Sequence, residues 1–202
     1  MVVSMTTSIP ASPATPAKPA TYRESDGEAV EMADAKAAWI PFAREALTRV
    51  AREYNGLISY GDLAEEVQAR SSIRTRQLKH YWVGAVLGVV SQDCHSRGEP
   101  LLASLCVQQD GHIGAGYAAS ITDTYGGPVP DDLDMAAAEE RLKCYAHFGA
   151  TLPADGGTPT LSPQVASRRR AAARKAREDI RKPVCPTCHL TLPSTGQCDN
   201  CD

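Results

Sequence analysis

Four of the chain's seven cysteines crowd into its last 18 residues, in the run CPTCHLTLPSTGQCDNC. The pattern is Cys-x2-Cys, nine residues, then Cys-x2-Cys. Each short pair lets two thiolates converge from one tight turn, and two such turns supply a tetrahedral sulfur shell. The spacing predicts a small zinc ribbon in which Cys185, Cys188, Cys198 and Cys201 hold one structural Zn2+ per chain. With every position filled by protein, no site is left for water or substrate, so the centre is read as structural. A segment this short has no core of its own, and its folding is expected to depend on the metal. The competing reading is a redox-active or disulfide-bonded tail. His189 is redundant as a ligand. Cys94, Cys106 and Cys144 lie among apolar residues and read as small core side chains.

The odd cysteine count points to a reducing compartment, and the opening MVVSMTTSIPASPATPAKPA lacks a basic n-region followed by an apolar h-region. A cytoplasmic protein is expected. No run approaches the roughly 18 apolar residues that span a bilayer, so no membrane partner is expected.

Patterning divides the chain into five parts. Residues 1–32 are rich in Pro, Ala, Ser and Thr, and predict a disordered tail. Residues 33–150 predict a globular domain. Its first helix carries Trp39, Phe42, Ala43, Ala46, Leu47 and Val50 at helical spacing and closes at Asn55-Gly56. A second helix, capped by Ser59 or Asp62, runs to about Gln68. Residues 69–77 read as a basic loop. A third helix spans about Leu78–Asp93, where Gly84 and Gly88 are expected to allow close packing. Leu101–Gln108 predicts a buried strand, Asp110-Gly111 a hairpin turn, and His112–Tyr117 the returning strand. Three helices and a two-stranded wing are the layout of a winged helix-turn-helix. A further helix is predicted over Asp131–Phe148. Residues 151–163 read as a linker, 164–182 as a basic helix and 183–202 as the ribbon. The fold class expected is α+β, mainly helical.

The formal net charge of −3 hides an asymmetry. Residues 1–150 hold 13 Lys+Arg and 19 Asp+Glu, whereas 164–182 hold 8 basic and 2 acidic residues. Arg168, Arg169, Arg170, Arg174, Lys175 and Arg177 stand on that alanine-rich helix. They would serve as phosphate contacts giving salt-sensitive affinity for double-stranded DNA. Two other readings are a solvated helix joining the two parts, and docking on an acidic partner, including this chain's own acidic region.

Residues 42–117 resemble the C-terminal winged helix-turn-helix domain of alkylguanine-DNA alkyltransferases and alkyltransferase-like proteins. The residues that carry the likeness are ISYGDLA at 58–64, VGAVL at 83–87 and PLLASLCVQQDGHIGAGY at 100–117. The resemblance implies DNA binding, with Tyr60 matching the tyrosine that meets the backbone during base flipping. Three departures stand out. Tyr81 occupies the place of the intercalating arginine, and Arg70, Arg74 and Arg76 lie in an enlarged joint between the two DNA-binding helices. Ala103 and Ser104 stand where the reactive cysteine and its histidine neighbour would be. Alkyl transfer needs a poised thiolate, so no catalytic residue is assigned.

Three functions remain open at this level. One is a non-catalytic DNA-binding protein, regulatory or sensing distorted DNA. Another is an adaptor that docks a protein partner through the ribbon. The third is an unfamiliar enzyme using a cleft near Tyr60, Cys94 and His95.

Overall fold

The computed structural model describes residues 19–179, 184–193 and 195–201. Its elements in chain order are β1 (Thr21–Arg23), α1 (Met32–Ala51), β2 (Ile58–Ser59), α2 (Tyr60–Ser71), β3 (Ile73–Thr75), α3 (Val83–Ser96), β4 (Cys106–Val107), α4 (Tyr117–Tyr125), α5 (Leu133–His147) and α6 (Pro163–Asp179). Two 3-10 turns, Lys79–Tyr81 and Leu102–Leu105, precede α3 and β4. The fold is α+β. No helix among the described residues is long and apolar enough to cross a membrane.

The core is built on α1. Ala35, Trp39, Ala43, Ala46, Leu47 and Ala51 are fully buried along one face, and α1 packs on both α2 and α3. Small residues alternating with Trp39 and Leu47 let the neighbouring helices approach closely. Asn55 turns the chain in the left-handed region, at φ 64. Gly56 follows, and a β-carbon there would stand 2.6 Å from the Val50 carbonyl oxygen. Ser59 then caps α2, its Oγ accepting from the Asp62 N–H at 3.1 Å.

Beyond α2 the structure departs from the basic loop expected over 69–77. α2 runs on to Ser71, Ser72 turns at φ 56, and β3 pairs antiparallel with β1, matching Thr21 to Thr75 and Arg23 to Ile73. The expected tail is therefore partly strand. Its residues 1–18 lie outside the described residues. Side chains anchor this ribbon to the core. Trp39 Nε1 donates to the Ile73 carbonyl at 3.2 Å, and Gln68 Oε1 accepts from the Thr75 N–H at 2.8 Å. Sequence periodicity does not register such side-chain-to-backbone ties.

The third helix begins later than expected, because Lys79–Tyr81 forms its own turn and buried Trp82 anchors the start of α3. Gly84 and Gly88 do not mediate close packing, since no atom lies within 4 Å of a β-carbon built at either. The predicted strand over Leu101–Gln108 contracts to β4, which pairs parallel with β2 through Ile58–Cys106 and Ser59–Val107. Leu101, Leu102 and Leu105 are all fully buried, and a 3-10 turn lets neighbouring side chains face inward where a strand would alternate them. The return is a single Val107–Ile113 bridge around Gly111, with Gln108 N–H donating to the His112 carbonyl at 2.8 Å. α4 follows, where the sequence pattern predicts no helix.

α5 carries the buried Glu140 and Arg141 into this region. Glu140 accepts from the Leu101 N–H at 2.8 Å and from the Tyr125 hydroxyl, and pairs with Lys143 at 2.9 Å. Arg141 donates to the Ser104 carbonyl at 3.1 Å and the Thr160 carbonyl at 3.0 Å. The stretch predicted as a linker is thus tied to the domain. Tyr54 reinforces it by accepting from the Thr158 N–H at 3.1 Å.

Candidate metal centre and nucleic-acid interface

The four ribbon cysteines converge. Their sulfurs all lie within 4.8 Å of one another, with Cys185–Cys201 at 3.7 Å and Cys188–Cys198 at 3.5 Å. Tetrahedral coordination with metal–sulfur bonds of about 2.3 Å places sulfurs about 3.8 Å apart, so the cluster has the dimensions of a closed metal site. Two tight turns produce it. In the first, Cys185 N–H donates to the Leu190 carbonyl at 2.8 Å, and His189 takes φ 57 and donates back to the Cys185 carbonyl at 2.9 Å. In the second, Cys201 N–H reaches the Cys198 carbonyl at 3.4 Å. The amide N–H groups of Cys188 and Thr187 stabilise the Cys185 thiolate and bring its pKa to about 6. The Asn200 amide favours the Cys198 thiolate too, but the surrounding sulfurs outweigh it and push Cys198 up to about 12. Four sulfurs this close cannot all ionise without a cation among them, which is the condition that metal binding meets.

The described basic residues are met by different sets of carboxylates. Arg70 pairs with Glu45 and, at 3.7 Å, with Glu66, and its guanidinium lies over the Phe42 ring. Arg74 pairs with Glu65 at 2.7 Å and Glu24 at 3.3 Å. Arg76 lies 5.3 Å from the Tyr22 ring centroid. On α6, the first turns dock on the domain. Val165 is buried, Arg169 forks onto Asp132 at 2.5 and 2.8 Å, and Arg168 reaches Asp110 at 3.9 Å. The carboxylates at the start of α5 are the partners that helix-end electrostatics alone do not reveal. The acidic count over 1–150 is the signal that points to them. Beyond this dock, Arg170, Lys175 and Arg177 are exposed and make no ion pair among the described residues, and Arg174 is exposed beside them.

Arg169, followed by the backbone amides of Met135 and Asp134, holds Asp132 at about 2, below its ordinary 3.8. A depressed folded-state pKa gives stability that is present above the unfolded value and is lost as pH falls through the folded one. Docking of α6 is therefore expected to loosen between about pH 4 and pH 2. Amide exchange over 163–169 in that window measures it, and Asp132→Asn should bring the loosened state to neutral pH.

Tyr60 turns inward. It lines a cleft with Ala103, Cys106, Ile113, Gly84 and Gly88 whose cavity volume is about 20 Å³. Burial pushes its hydroxyl up to about 12. Tyr60 is thus not placed as an exposed backbone contact. Cys106 is fully buried, and desolvation holds its thiol protonated. Cys94 is fully buried too, and burial raises its pKa although Arg44 lies 3.5 Å from its sulfur. Its neighbour His95 instead lines an open bowl with Glu99, Tyr125, Lys143 and His147. The two neighbours thus face different surroundings, Cys94 the core and His95 the bowl.

Comparison with protein-family models, with curated proteins and with solved structures found no match.

Proposed function

We propose that this chain is a non-catalytic, DNA-binding protein with a winged helix-like domain and a zinc-stabilised ribbon. The observation that carries the reading is the outer part of α6. Its dock consumes Arg168 and Arg169, whereas Arg170, Lys175 and Arg177 are left as exposed cations beside Arg174. Solvated cations on an alanine-rich helix suit phosphate contacts that are salt-dependent and indifferent to sequence. The order α2, joint, α3 and turn around Gly111 supports a helix-turn-helix with a minimal wing. The four-thiolate shell, soft and closed, supports Zn2+ as the metal.

Gel retardation with duplex DNA tests the reading. Replacing Arg170, Lys175 and Arg177 together by alanine is expected to weaken binding. It should also reduce the slope of log affinity against log salt by about 0.9 for each phosphate that is no longer neutralised. Unchanged affinity and slope would remove α6 from the account. A second reading, a ribbon adaptor without direct DNA binding, is favoured by Val184 and Leu190, which expose more than half their surface. It predicts no retardation even at low salt, and capture of a protein partner that disappears on Val184→Ser with Leu190→Ser.

A further inference from the structure

We propose that the Leu78–Tyr81 turn is a stacking platform for an unpaired nucleobase, so that DNA carrying an extrahelical base is the preferred ligand; this rests on the DNA-binding reading above. Residues 77–81 are exposed in one run, and within it Leu78 and Tyr81 show 61% and 71% of their surface. The His80 imidazole lies against the Tyr81 ring, centroids 4.1 Å apart. The turn is held in place. Tyr81 N–H donates to the Leu78 carbonyl at 3.0 Å, Trp82 N–H donates to the Lys79 carbonyl at 3.2 Å, and Trp82 is buried immediately after. An aromatic pair already ordered in water loses little freedom when it accepts a partner.

Charge selects the occupant. On α2, which packs against this turn, Asp62 accepts from the Ser59 hydroxyl at 2.7 Å, Glu65 is paired with Arg74 and Glu66 with Arg49, so these carboxylates are engaged. Lys79, exposed within the same turn, makes no ion pair among the described residues. An aromatic face beside a cation suits a base attached to phosphates. The cleft behind α3 is the other place to seat a base, but its volume of about 20 Å³ has room for one water molecule and not for a base. A base displaced from the duplex therefore stacks on the outside.

The test uses the full chain with zinc and two short duplexes, one fully paired and one carrying a single extrahelical 2-aminopurine. Fluorescence anisotropy reads affinity, and 2-aminopurine emission reads stacking. The wild-type chain is expected to prefer the bulged duplex by about tenfold and to change its emission on binding. Tyr81→Ala should abolish both the preference for the bulged duplex and the emission change, and Tyr81→Trp should retain them. Equal wild-type affinity for the two duplexes, or a preference that survives Tyr81→Ala, overturns the platform alone. Failure to bind either duplex at low salt overturns the DNA-binding reading, and the platform with it.

Discussion

Replacing Cys188 by serine is expected to abolish stoichiometric zinc binding and to erase the turns around Cys185–Leu190 and Cys198–Cys201, while the domain ahead of them melts as before. Among the described residues the ribbon's backbone bonds are few, and none of the ribbon's residues belongs to the large apolar cluster of the protein. Metal binding at sites of this type is worth about 10–16 kcal/mol, and that free energy is the folding free energy of the segment. Removing one of four thiolates opens the shell and leaves three crowded sulfurs that disfavour one another's ionisation. Elemental analysis should give one zinc per chain for the wild type and well under one for Cys188→Ser. Amide exchange should show protection over 184–201 only in the metal-loaded protein. Protection that persists after complete chelation would refute the metal's role.

Trp39→Ala should be the most damaging change within the domain, costing about 3–5 kcal/mol of a total that is ordinarily about 5–15. Trp39 is fully buried, stacks on Trp82 with centroids 4.3 Å apart, and donates to the Ile73 carbonyl at 3.2 Å. One side chain thus joins α1, α3 and the β1–β3 ribbon. Trp39→Phe keeps most of the ring burial and loses the hydrogen bond, so a smaller cost of about 1–3 kcal/mol is expected. Denaturant titration of the two variants separates the contributions. Equal losses would show that the indole N–H, and not the packing, dominates.

α1 and α2 were legible because their apolar residues repeat at helical spacing and their ends are marked by Asn55-Gly56 and Ser59, whereas α4, which buries only Tyr117, carries no such signal. The cysteine cluster was legible because its signal is local and tied to a fixed geometry. Sequence spacing failed where the deciding partner lies far along the chain. β1 forms by pairing with β3 on the far side of α1 and α2, and β4 has two strand residues because β2 accepts only two. The same limit applies to charge. Arg70, Arg74 and Arg169 read as free cations until Glu45, Glu65 and Asp132 come into reach. Arg170, Lys175 and Arg177 keep that character because α6 carries them past the carboxylates of the domain.

The stretch from Thr151 to Ser162 has the composition of a seam between two units, yet it completes the first one. It brings the Thr160 carbonyl to the buried Arg141 guanidinium, and Tyr54 would stand 2.8 Å from a β-carbon placed on Gly157. The chain is consequently not divisible where its glycines and prolines cluster. Severed at residue 150, the front portion would keep an interior cation and lose one of its two acceptors, an unmet demand that water would have to enter the core to satisfy. A cut that leaves this stretch with the domain falls inside α6, beyond the buried Val165.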